Sequence, residues 1–100
     1  MTLQEFQASL ANRSPPGDLR ATLRALWFDG RGQWDKAHEV VQDESGVEAA
    51  WVHAYLHRKE GDLDNAGYWY RRARRAMPTG PLEEEWRTIA ATFLEGEDDD

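Results

Sequence analysis

The chain has no cysteine. Disulfides, thiolate metal sites and thiol redox chemistry are therefore excluded, although the compartment is not thereby identified. Long apolar runs are missing too, and none approaches the roughly 20 residues that a membrane-spanning helix needs. Met1 to Phe6 lacks the basic start and apolar stretch of a secretory leader, so the expected location is cytoplasmic. Cations are scarce, with 12 Lys and Arg against 19 Asp and Glu and a net charge of −7. Neutralising phosphates takes an excess of cations, which argues against a general binder of nucleic acid or anionic membrane. There is no nucleophile elbow, phosphate loop or HExxH motif, so no enzymatic activity and no cofactor are expected.

Period-2 alternation is also lacking, and helical spacing takes its place. The expected fold is all-α, with about six helices in one domain over residues 1–94 and a disordered acidic tail over 95–100. Thr2-x-x-Glu5 reads as a capping box ahead of Leu3, Phe6 and Leu10. Ser14-Pro15-Pro16-Gly17 breaks that helix, and Asp18 is placed to cap a second carrying Leu19, Leu23, Leu26 and Trp27. Asp29-Gly30-Arg31-Gly32 reads as a turn before a third helix with Trp34, Ala37, Val40 and Val41.

Ser45-x-x-Glu48 reads as another capping box, opening a fourth helix from Val47 to Glu60. That helix is apolar around most of its circumference, as a central helix covered by neighbours would be. Gly61 suits a left-handed stop. A fifth helix carries Leu63, Ala66, Tyr70, Ala73 and Met77. A sixth, entered through Pro81 with Glu83, Glu84 and Glu85 at its positive end, carries Leu82, Trp86, Ile89 and Phe93.

The second and third helices repeat in the fourth and fifth at an offset of 29 residues. Ala21 pairs with Ala50, Ala25 with Ala54, Gly32 with Gly61, Asp35 with Asp64 and Ala37 with Ala66. Small residues recur where two helices must approach closely, and glycine recurs at the turn, the pattern of stacked helical hairpins. Ala54, Gly61, Ala66, Tyr70, Ala73 and Pro78 resemble one tetratricopeptide repeat, and Ala66 to Ala73 resembles the Sel1-like relatives. Trp51 to Ala73 is also similar to short bacterial proteins without an assigned activity. The resemblance implies two stacked hairpins flanked by N- and C-terminal helices, either monomeric or paired as a homodimer.

It also implies a groove lined by the first helix of each repeat, here Trp51, Tyr55, Arg58 and Lys59 with Leu26, open to a peptide or partner helix. The family's clamp for a C-terminal carboxylate is absent, because Trp51 and Tyr55 stand at those places. The first functional expectation is therefore a protein-interaction module with its own specificity.

The second expectation is a small anion- or metal-binding domain, with enzymatic activity left open, centred on His53 and His57. His53 and His57 lie one helical turn apart, at positions where the family has buried Leu and Tyr. That spacing can hold a metal if His38 supplies a further ligand, but two histidines alone do not complete a site, and no metal is assigned. Register places Arg24 level with His53, so Arg24, His53, His57 and Tyr70 could form an anion pocket, or a purely internal polar network. A third reading takes the stretch from Tyr68 to Arg75, which combines rings with guanidinium groups, as a single-strand nucleic-acid face acting through Arg71, Arg72 and Arg75, against a solvated face pairing with the acidic tail.

Overall fold

The computed structural model describes residues 1–98. Six helices follow in order: α1 (Leu3–Ser9), α2 (Ala21–Gly30), α3 (Trp34–Gln42), α4 (Val47–Glu60), α5 (Leu63–Ala73) and α6 (Leu82–Asp98). There is no strand among the described residues, and none of these helices is long and apolar enough to cross a membrane.

The entrances and exits follow local chemistry. At α1 the Thr2 hydroxyl accepts from the Glu5 amide (3.1 Å), and the Glu5 carboxylate accepts from the Thr2 amide (2.8 Å). Two expected caps move. Asp18 adopts a left-handed conformation (φ 66) and caps nothing; α2 starts after Arg20, whose carbonyl takes the first helical bond from Arg24. Ser45 lies one residue too early. Gly46 caps α4 at φ 102, a backbone conformation open chiefly to glycine, without any side-chain bond. The expected turn at Asp29 also shifts, since α2 continues through Gly30 and the chain reverses at Gly32 (φ 79).

Helices α2–α3 and α4–α5 form two hairpins, and their matched positions serve matched roles. Ala25 and Ala54 are fully buried, as are Ala37 and Ala66, and Gly32 and Gly61 both take positive φ. Helix α4 is central, buried without interruption from Ala49 to His57, with α2, α3, α5 and α6 against it. Packing on all sides explains why its sequence shows no polar face until Arg58.

Helices α1 and α6 close the other side. Phe6 stacks on Trp86 at 5.6 Å, and the Trp86 indole donates to the Leu26 carbonyl (3.0 Å). Helix α6 thus lies over α2 and α4, where the peptide groove was expected. Trp51 retains 5% exposure, Tyr55 2% and Leu26 none, because Trp86, Ile89, Phe93 and Leu94 have more apolar surface to bury than an open groove would leave covered. The expected groove is core. Helix α6 also runs past Leu94 to Asp98, through most of the stretch expected to be a tail; residues 99 and 100 lie outside the described residues.

Candidate functional site

Helix α4 presents polar chemistry on two sides, and the two differ. On the side facing α6 lie two buried carboxylates, Asp29 from α2 and Glu85 from α6 itself. Asp29, 2% exposed, accepts from the Tyr55 hydroxyl (3.0 Å) and the Lys59 ammonium (3.0 Å). Glu85, 6% exposed, accepts from Tyr70 (2.7 and 2.9 Å), Arg58 (2.8 Å) and the Trp51 indole (3.3 Å), while Arg58 also donates to the Gly80 carbonyl. Burial first, then the adjoining carboxylate, raises both the Tyr55 and the Tyr70 phenol far above the ordinary value, so both stay protonated donors. Four of the expected groove and pocket residues, Tyr55, Arg58, Lys59 and Tyr70, are consumed here as structural partners. Trp51 joins them through its indole, and Leu26 is apolar core. The spacing of Asp29 and Glu85 gave no warning, since one reads as a turn residue and the other as a helix-dipole acid.

On the opposite side three imidazoles converge. His53 and His57 stack one turn apart along α4, with ring centroids 4.8 Å apart and planes inclined by 24°. His38 reaches in from α3, its ring 4.8 Å from His53 and 5.3 Å from His57. Two Nε2 atoms, of His38 and His53, stand 3.0 Å apart, so one ring donates to the other. One nitrogen from each of the three lies within 4.8 Å of the others. Arg24 and Tyr70 do not join them. Arg24 donates to the Leu19 carbonyl (3.3 Å) and Tyr70 faces Glu85, so the expected four-residue anion pocket is not assembled.

The surroundings fix the rings. His57 Nδ1 donates to Glu60 Oε1 at 2.6 Å, which leaves Nε2 as the atom of that ring open to another partner. Asn65 Nδ2 is 3.5 Å from it, at the limit of hydrogen-bond reach. Trp34 stacks on His38 (5.1 Å, 6°) and is itself anchored by its indole N–H on the Leu56 carbonyl (2.8 Å). Trp69 stacks on His53 at 4.0 Å from α5. His53 and His57 are each 7% exposed, and His38 is half-buried, forming the outer side of the group.

Burial chiefly, then the neighbouring His57 and His38, lowers the His53 pKa to about 4. His38 is lowered as well, by burial and His57, against smaller opposing effects of Glu60 and Asp35. These two rings are thus neutral near pH 7, the form that donates a lone pair.

In chemical terms this is a set of borderline nitrogen donors with a carboxylate behind one ring. At Zn–N distances of 2.0–2.1 Å, a tetrahedral ion sets its nitrogens roughly 3.3 Å apart; here His38 and His53 Nε2 are 3.0 Å apart, and one nitrogen of each of the three rings lies within 4.8 Å of the others. No protein-family model matches this chain, and no curated protein or solved structure matches it.

Proposed function

We propose that the chain binds a divalent first-row transition ion, zinc or copper in type, through Nε2 of His38, His53 and His57. The observation that carries this reading is the convergence of three imidazole nitrogens within 4.8 Å, two of them on α4 and one on α3. Imidazole suits both ions, and three protein nitrogens leave one position for water or another small ligand. Glu60 supports the reading from behind. A ligating histidine usually gives its other N–H to a carboxylate, which holds the ring and raises its basicity. The role proposed is binding, not catalysis. We further read the two hairpins as tetratricopeptide-like, on the strength of the Ala25/Ala54, Gly32/Gly61 and Ala37/Ala66 equivalences; in that reading the ion sits between successive units.

The test is dialysis of purified, chelator-stripped protein against zinc or copper(II), with metal analysis and tryptophan fluorescence. One ion per chain is expected, with copper quenching emission because Trp34 and Trp69 stack on ligand rings. Replacing His53 by Ala should weaken binding at least tenfold, and replacing Glu60 by Gln should weaken it less. Binding that is absent, or equally tight in His38→Ala, His53→Ala and His57→Ala, overturns the reading.

A further inference from the structure

A second feature is independent of the histidines. Arg71, Arg72, Arg74 and Arg75 cluster at the end of α5, all exposed. In a chain this rich in carboxylates, none of the four makes an ion pair among the described residues. Aromatic rings hold two of them instead. The Arg75 guanidinium lies 3.5 Å from the centroid of Trp51, and Arg72 lies over Tyr68 (5.6 Å) and Trp69 (5.4 Å) while donating to the Tyr68 hydroxyl (3.2 Å). A guanidinium seated on a ring keeps its N–H edge free for a carboxylate. Beside them a cleft of about 460 Å³ opens between the α5–α6 loop and the first turns of α6, bounded by Trp51, Arg74, Arg75, Pro81 and Thr88. Two acids line that wall: Glu85 is spent on Arg58, Tyr70 and Trp51, and Glu84 makes no ion pair with the arginines among the described residues.

The complement to this patch is in the same sequence, the run Glu95-Gly96-Glu97-Asp98-Asp99-Asp100. Its first four residues, 95–98, end α6. Thr88 borders the cleft, and the ten residues from there to Asp98 rise about 15 Å along the helix and away from it. We propose that the arginine cluster and its cleft receive the acidic C-terminal run of a second copy of this chain. The contact is heterologous, patch to tail, so each added copy leaves one patch and one tail unused and association continues into chains or a ring.

Sedimentation of the metal-free protein over rising concentration tests this. At low ionic strength (about 20 mM) the average mass should climb past a dimer at hundreds of micromolar, and at about 500 mM salt it should return to the monomer. The triple variant Arg71→Glu, Arg72→Glu, Arg75→Glu and the triple variant Glu95→Lys, Glu97→Lys, Asp98→Lys should each stay monomeric. An equimolar mixture of the two should associate again, because each then offers the other a complementary pair. Circular dichroism checks that both variants fold, and the salt response of the wild type stands without them. A wild type that stays monomeric at low salt overturns the proposal, as does association that survives reversal of one side alone. A labelled single-stranded oligonucleotide that binds the wild type and not the arginine variant, with no self-association, overturns it in favour of nucleic acid.

Discussion

Helix α4 has a settled side and an unsettled one. On the side facing α6, Asp29 and Glu85 are each met by donors whose geometry and charge suit them, and those donors come from α4, α5 and their flanks. Toward α3, the imidazoles of His38, His53 and His57 mostly meet one another and tryptophan faces. Both sides bury polar groups beside the same rod. On the first, protein groups meet the carboxylate oxygens. On the second, the ring nitrogens meet chiefly one another, His38 Nε2 and His53 Nε2 at 3.0 Å. A buried carboxylate without its cations is costly, whereas a histidine can shed its proton and wait.

The largest expected effect breaks the settled side. Glu85→Ala leaves Arg58, Tyr70 and Trp51 without their common acceptor, and should cost about 3–5 kcal/mol in urea denaturation. A loss below about 1 kcal/mol would mean that the network contributes little. Next comes the unsettled side under acid. His53 has a folded pKa of about 4 against 6.5 for the free ring, so the unfolded state binds more protons between those values. Stability of the metal-free protein is complete above about pH 6.5 and falls toward pH 4, by up to about 3 kcal/mol. Denaturation at a series of pH values should show that slope in the wild type and a flatter one in His53→Gln.

Zinc at about one hundred times its dissociation constant should add about 2.7 kcal/mol at pH 7.5. His57→Ala should abolish the gain, while Lys59→Met, on the other side of the rod, should keep it. The smallest effect is steric. A Cβ on Gly30 would lie 2.9 Å from a Leu10 methyl and 3.1 Å from the Trp86 ring. Leu10 can turn aside, but Trp86 is tethered to the Leu26 carbonyl. Gly30→Ala should therefore lower stability by about 1 kcal/mol and leave zinc affinity unchanged.

What could be read in advance follows the same division. The central position of α4 shows in its nearly uniform apolar character, and the glycines at 32 and 61 mark real left-handed turns, because these signals are local. The one-turn spacing of His53 and His57 is local as well. The third imidazole is not. His38 becomes a neighbour only through the angle between α3 and α4, which the sequence of neither helix states. Trp51 and Tyr55 promised an open groove because the resemblance puts the first helix of each repeat on the groove; that α6 folds back over them depends on Phe6 meeting Trp86 and Trp51 meeting Phe93 at long range. Ser45 misled for the opposite reason: its spacing to Glu48 satisfies the capping pattern, but the positive φ at Gly46 starts the helix one residue later.

Trp34 ties the first hairpin to the second by gripping a main-chain oxygen, that of Leu56. No substitution can delete that atom, so the gap between α3 and α4 is gauged by backbone rather than by the rings that line it. Side chains along the interval can be exchanged while this main-chain anchor between the two hairpins stays in place.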